Sequence, residues 1–127
     1  MNAADRFRQA VEAMDHAAAV ATLAEDVVFH SPVTFKPFEG RDATSFVLAG
    51  VMRVFTSFRY TDQLAAAENV HALVFRASVG DREVEGIDLV RINGDDLIDD
   101  FTVFVRPLSG LNALATRMAE ELGAAPS

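Results

Sequence analysis

The stretch from Val84 to Ile92 constrains this chain more than any other: Val, Glu, Gly, Ile, Asp, Leu, Val, Arg, Ile. Its β-branched and apolar content marks a long sheet strand, yet Asp88 stands in the middle of it. A carboxylate there either faces water or is costly to bury. Strand alternation puts Val84, Gly86, Asp88 and Val90 on one face, and Glu83, Glu85, Ile87, Leu89 and Arg91 on the other. Apart from Asp88 the first face is apolar. If that face lines a cavity, Asp88 is the cavity's natural polar group.

The flanking sequence supplies the rest of a sheet. Strands are predicted over Phe58 to Ala65, Val70 to Val79, Arg82 to Ile92 and Leu97 to Arg106, with tight turns at Gly80-Asp81 and Asn93 to Asp96. Upstream, Phe7, Val11 and Met14 recur at helical spacing within a helix expected over Asp5 to Met14, with Asp5 at its cap or first turn. Asp15 can cap a second helix, His16 to Ala24. Val27 to Ser31 reads as a strand stopped by Pro32, and Val33 to Gly40 as a loop too apolar to be wholly solvated, so it should cover something. A third helix, Asp42 to Phe55, carries Val47, Val51 and Phe55 on one stripe. Ser109 can cap a terminal helix through Leu111, Leu114, Met118 and Leu122 that stops at Gly123. Helices first and a meander after them is an α+β plan. A curved, cone-shaped and mainly antiparallel sheet wraps the three helices of the N-terminal half, and a C-terminal helix follows.

Composition narrows the function. A length of 127 residues predicts one domain, residues 1–127. The absence of cysteine excludes disulfides, thiol nucleophiles and thiolate metal sites, and suits a cytoplasmic setting. A net charge of -8 opposes binding to nucleic acid or an anionic membrane, and no window is apolar enough to span a bilayer. One Lys against ten Arg, beside much Ala, suits a GC-rich bacterial genome. Asp95, Asp96, Asp99 and Asp100 lack the alternation and Gly of a calcium loop and read as a solvated turn, so no metal or other cofactor is expected.

The run Leu23 to Pro32, the quartet Phe38, Glu39, Gly40, Arg41 ahead of the third helix, and Gly86 to Ile92 followed by a turn and Leu97-Ile98 together resemble the nuclear transport factor 2-like superfamily. Within it the chain is similar to the SnoaL-like proteins, which include polyketide cyclases and are related to ketosteroid isomerase. The resemblance spans roughly Asp5 to Pro107 and implies a cone-shaped ligand cavity and a homodimer. It lays the protonated Asp of ketosteroid isomerase on Asp88. The isomerase base falls on Ser31, which is no base at neutral pH, and its Tyr falls near Phe7, which has no hydroxyl. A related Asp, Arg, Asp hydrolase constellation finds its arginines, Arg76 and Arg91, on the wrong face of their strands.

The expected site therefore has Asp88 as its acid. His30 is the candidate second catalytic group if Pro32 twists the strand end, although such a His more often sits at a rim or interface. Phe29, Ser31, Tyr60, Phe75, Phe101, Val103 and Val105 are expected to meet the ligand, with Met14, Met52 and Met118 as adaptable walls. On the opposite face Ile87, Leu89, Thr102 and Phe104 form the expected homodimer surface. The function expected is binding of a small hydrophobic molecule, polycyclic or carbonyl-bearing. The alternatives are an isomerase or cyclase moving a proton beside a carbonyl, and a non-catalytic interaction domain.

Overall fold

The structure is a computed structural model and describes residues 1–67 and 69–123. Two short helices open it, α1 (Ala3–Glu12) and α2 (His16–Val20), followed by β1 (Leu23–His30), the two-residue β2 (Phe38–Glu39) and α3 (Arg41–Val54). The meander is β3 (Thr56–Ala66), β4 (Val70–Val79), β5 (Arg82–Ile92) and β6 (Ile98–Arg106), and α4 (Leu108–Leu122) closes the described chain. The strands make one six-stranded sheet in the order β2-β1-β6-β5-β4-β3. All neighbours are antiparallel except β1 and β6, which run parallel. The sheet is therefore mixed, as an α+β cone requires, and α1, α3 and α4 pack on its inner face.

The ends of the elements show which local signals prevailed. Helix α1 starts at Ala3, two residues ahead of the predicted start, because Asn2 caps it. The Asn2 Oδ1 accepts from the Asp5 amide at 2.9 Å, and the Asp5 carboxylate accepts from the Asn2 amide at 3.2 Å, a reciprocal capping box. Asp96 fixes this end from a distance, its carboxylate accepting from the Ala3 amide at 3.0 Å and from Arg6 at 2.7 Å. Met14 takes a left-handed conformation, φ 55°, so it lies beyond the helix that was expected to contain it. Asp15 caps α2 as expected, accepting from the Ala18 amide.

That second helix is shorter than predicted. Leu23 and Ala24 enter β1, where Leu23 stands beside Ile98 of β6 and the Ile98 amide donates to the Thr22 carbonyl at 2.8 Å. Sheet pairing with a segment far along the chain overrides a helical Ala-rich sequence. The predicted loop over Val33 to Gly40 also contains an edge strand, with Phe38 opposite Phe29 and Glu39 opposite Val28.

On β5 the predicted alternation holds. Val84, Gly86, Asp88 and Val90 are buried, whereas Ile87 and Arg91 are exposed. β4 runs beside it in unbroken register from Val79 opposite Arg82 to Val70 opposite Arg91. Gly86 permits this fit. A β-carbon there would lie 2.3 Å from Phe75 Cζ and 2.5 Å from the Phe104 carbonyl oxygen, so the Phe75 ring lies across the bare glycine. Gly110 does the same for α4, where a β-carbon would come within 2.5 Å of Val84 Cγ1. The helix consequently lies close over the start of β5.

Candidate active site: a carboxyl and a phenol in an apolar cone

Between the sheet and α1, α3 and α4 lies a cavity of about 380 Å³, within the range of small-molecule sites. Its walls are almost wholly apolar. Phe7 and Val11 come from α1, Val47, Leu48, Val51 and Met52 from α3, and Leu114, Ala115, Met118, Ala119 and Leu122 from α4. The sheet contributes Phe29, Phe38, Phe58, Tyr60, Phe75, Phe101 and Val103, and the segment after β1 adds Ser31, Pro32, Val33 and Thr34.

The polar floor is Asp88 with Tyr60. Asp88 is 6 % exposed and Tyr60 7 %. The Tyr60 hydroxyl donates to Asp88 Oδ2 at 2.8 Å, reaching diagonally across β4, since Tyr60 stands opposite Phe75 and Asp88 opposite Leu73. Its ring is held edge-on to Phe58 at 5.0 Å, and Phe58 stacks on Phe75 at 4.9 Å. Behind it the Arg8 guanidinium sits 5.7 Å from the ring centroid. Arg8 in turn donates to Gln63 at 3.2 Å and pairs with Glu12. The second Asp88 oxygen accepts from no side chain or amide among the described residues. Since no fully buried side-chain oxygen there is left unpaired, this oxygen opens to the cavity that Asp88 lines.

Burial decides the protonation of the pair. Loss of solvent pushes the Asp88 carboxyl up to about 7, against a smaller opposing effect from the Tyr60 hydrogen bond. The Tyr60 phenol is raised well above its ordinary value by burial first, then by the Asp88 charge. Near neutral pH, then, Tyr60 stays protonated while Asp88 exchanges its proton readily. A carboxyl in this state can take a proton from a bound molecule or return one.

Of the remaining expected site residues, the structure gathers Phe29, Ser31, Phe75, Phe101 and Val103 around the same cavity, with Met14, Met52 and Met118 in its walls. Ser31 Oγ accepts from the Val33 amide at 3.0 Å and so shapes the loop that borders the cavity. Two expected residues lie elsewhere. His30 is not in the lining: Phe29 turns inward, and His30 turns to the outer face, where its Nε2 meets Asp100 Oδ1 at 3.1 Å. Pro32 does not twist the strand enough to reverse that alternation. Val105 is also outside the lining, because β6 has by then passed the cavity and Val105 packs between the two core clusters.

Sequence reasoning did not join Tyr60 to Asp88, nor assign Phe58 or any α4 residue besides Met118 to the cavity. The available signals were the shared inward parity of Phe58 and Tyr60 and the paired small and large apolar residues of α4. Among the described residues no group of three or more His, Cys, Asp or Glu is placed to hold a metal ion. No described helix is long and apolar enough to cross a membrane.

The profile of the SnoaL-like domain matches residues 4–101. A steroid delta-isomerase of Pseudomonas aeruginosa superposes with a TM-score of 0.91 at 38 % identity, over 95 % of this chain and 89 % of that one. An uncharacterised protein of Silicibacter pomeroyi, described as having a cystatin-like fold, gives 0.88 at 36 % identity, over 93 % and 83 %. A Mycobacterium tuberculosis protein in complex with estradiol-17beta-hemisuccinate gives 0.66 at 19 % identity over 85 % and 93 %, a likeness of fold alone. No curated protein matches this sequence. With the domain profile covering most of the chain and relatives this similar along nearly its whole length, the chain belongs to the SnoaL-like family, on the nuclear transport factor 2-like fold.

Proposed function

We propose that this protein holds a small, largely apolar molecule inside the cone and places that molecule's polar end on the Asp88 carboxyl. One observation carries the reading: a single acid, bonded to one phenol, opens into a cavity walled, apart from Ser31 and Thr34 at its border, by aliphatic and aromatic side chains. The open cavity also speaks against a purely structural interaction domain, whose cone would be filled by its own side chains.

The enzymatic form of this reading is a cofactor-independent isomerase or cyclase. Asp88 takes a proton from the carbon next to a ligand carbonyl and returns it to another carbon, while the Tyr60 and Ser31 hydroxyls stabilise the enolate oxygen between the two steps. The name of the Pseudomonas aeruginosa relative supports a steroid ketone as the first substrate to try. With such a ketone, Asp88→Asn should lower turnover at least about a hundredfold, the usual effect of losing a general base. His30→Ala, on the outer face, should leave it within about twofold. Full turnover in Asp88→Asn would end the enzymatic reading. A binding protein without chemistry is the second reading, favoured by Ser31 and Phe7 standing where ketosteroid isomerase has its base and Tyr. It predicts saturable binding with the ligand recovered unchanged by mass spectrometry.

Homodimerisation through the outer sheet face belongs to the same proposal. Ile87 and Phe104 stand opposite each other on adjacent strands and are both exposed, with Leu89 and Thr102 as the next pair. Light scattering would distinguish the dimer from a monomer.

A further inference from the structure

The cavity holds an acid whose charge nothing inside it neutralises. The only hydrogen-bond donor to Asp88 among the described residues is the neutral Tyr60 phenol, and no Arg, Lys or His is among the described residues lining the cavity. Arg8 lies against the Tyr60 ring and is engaged by Glu12 and Gln63 outside the lining. Aromatic rings line the same cavity as the acid: Phe58, Tyr60 and Phe75 from β3 and β4, Phe29 and Phe101 from β1 and β6, and Phe7 from α1. Ring faces attract cations, and a charge-assisted hydrogen bond is roughly twice as strong as a neutral one.

We propose that the preferred occupant of this cavity is an apolar amine, bound as its ammonium ion on the Asp88 carboxylate among these rings; the inference rests on the cavity-binding reading above. An ammonium group supplies the missing countercharge and donates to the open Asp88 oxygen. A neutral alcohol donates without the charge, a ketone has no proton to offer a carboxylate, and an anion meets like charge with no cation to receive it. The burial that holds the Asp88 carboxyl above its ordinary range is the same cost that an incoming cation relieves.

Three probes differing only at the polar end decide it: naphthylmethylamine, naphthylmethanol and naphthylacetate, titrated calorimetrically at pH 8 into the full chain. The amine should bind at least about tenfold more tightly than the alcohol, and the acetate should not bind at millimolar concentration. Because a protein of net charge -8 also attracts amines to its surface, two further arms place the site. Naphthylmethanol should displace the amine competitively, and Asp88→Asn should abolish the amine's advantage over the alcohol. Alcohol binding as tight as amine binding, an amine advantage that survives in Asp88→Asn, or amine binding that the alcohol does not displace would overturn the inference and leave the cavity reading standing. Failure of both the amine and the alcohol to bind would remove both. Should Asp88→Asn not fold, the wild-type comparison and the competition decide.

Discussion

Replacing Asp88 with Asn should make the protein more stable at pH 8, by up to about 4 kcal/mol, and should flatten its stability between about pH 4 and pH 7. In the folded chain the carboxyl titrates near 7, whereas its ordinary value is 3.8. Between those values the folded state binds more protons than the unfolded state, so stability falls as pH rises and levels off above 7. A difference of about three units corresponds to about 4 kcal/mol at ~1.4 kcal/mol per unit, or about 15 °C in Tm for a domain of this size. Asn keeps the shape and an acceptor for Tyr60 without the charge. Asp5 and Asp96, held below the ordinary range by Gln63 and by Arg6 respectively, act with the opposite sign. Their contribution is lost only as the pH falls through the acid range, so it does not mask the Asp88 effect. Thermal melts of both proteins from pH 4 to pH 8 test this. A wild-type Tm that does not fall over that range, or an Asn variant less stable at pH 8, would show that the acid is not desolvated as described.

The second large effect is expected at Gly86, which never touches a ligand. Gly86→Ala should cost about 3 kcal/mol, the upper part of the usual range for overpacking. The added methyl meets Phe75 Cζ at 2.3 Å and the Phe104 carbonyl at 2.5 Å, and the carbonyl belongs to a strand ladder that cannot yield alone. Phe75 must then leave its stack with Phe58, which in turn supports the Tyr60 ring, so the same change should weaken ligand binding. Urea unfolding measures the loss directly. A loss under about 0.5 kcal/mol, within what ordinary surface substitutions show, would mean that the strand and ring are not in this close contact.

How legible all this was in the sequence depends on the range of the contacts involved. β4 and β5 have the limits read from alternation and turn residues, because each is specified by its own pattern and paired with its immediate neighbour along the chain. The parallel pairing of β1 with β6 has no such local mark, and so Leu23 and Ala24 read as helix until Ile98 is beside them. The two residues of β2 are too few to carry a period. Asp88 was legible as a cavity acid because it is the one charged side chain on the otherwise apolar face of the stretch Val84 to Ile92. Its partner was not, because Tyr60 reaches it across an intervening strand, and no spacing in the sequence encodes a diagonal contact. His30 illustrates the converse. Simple alternation put it on the outer face, and the structure keeps it there with Asp100. The apolar stripe of α4 was visible too, but a stripe says only that a helix is covered, not that part of what it covers is empty space.

Asp88 and Tyr60 together are proposed to form the polar floor of a ligand cavity. A crystal structure of the chain with naphthylmethanol tests this most directly. Density is expected inside the cone, with the ring system among Phe58, Phe75 and Phe101, and the ligand hydroxyl within about 3 Å of the open Asp88 oxygen. A cone closed by its own side chains, or a ligand seated only on the outer sheet face, would contradict it.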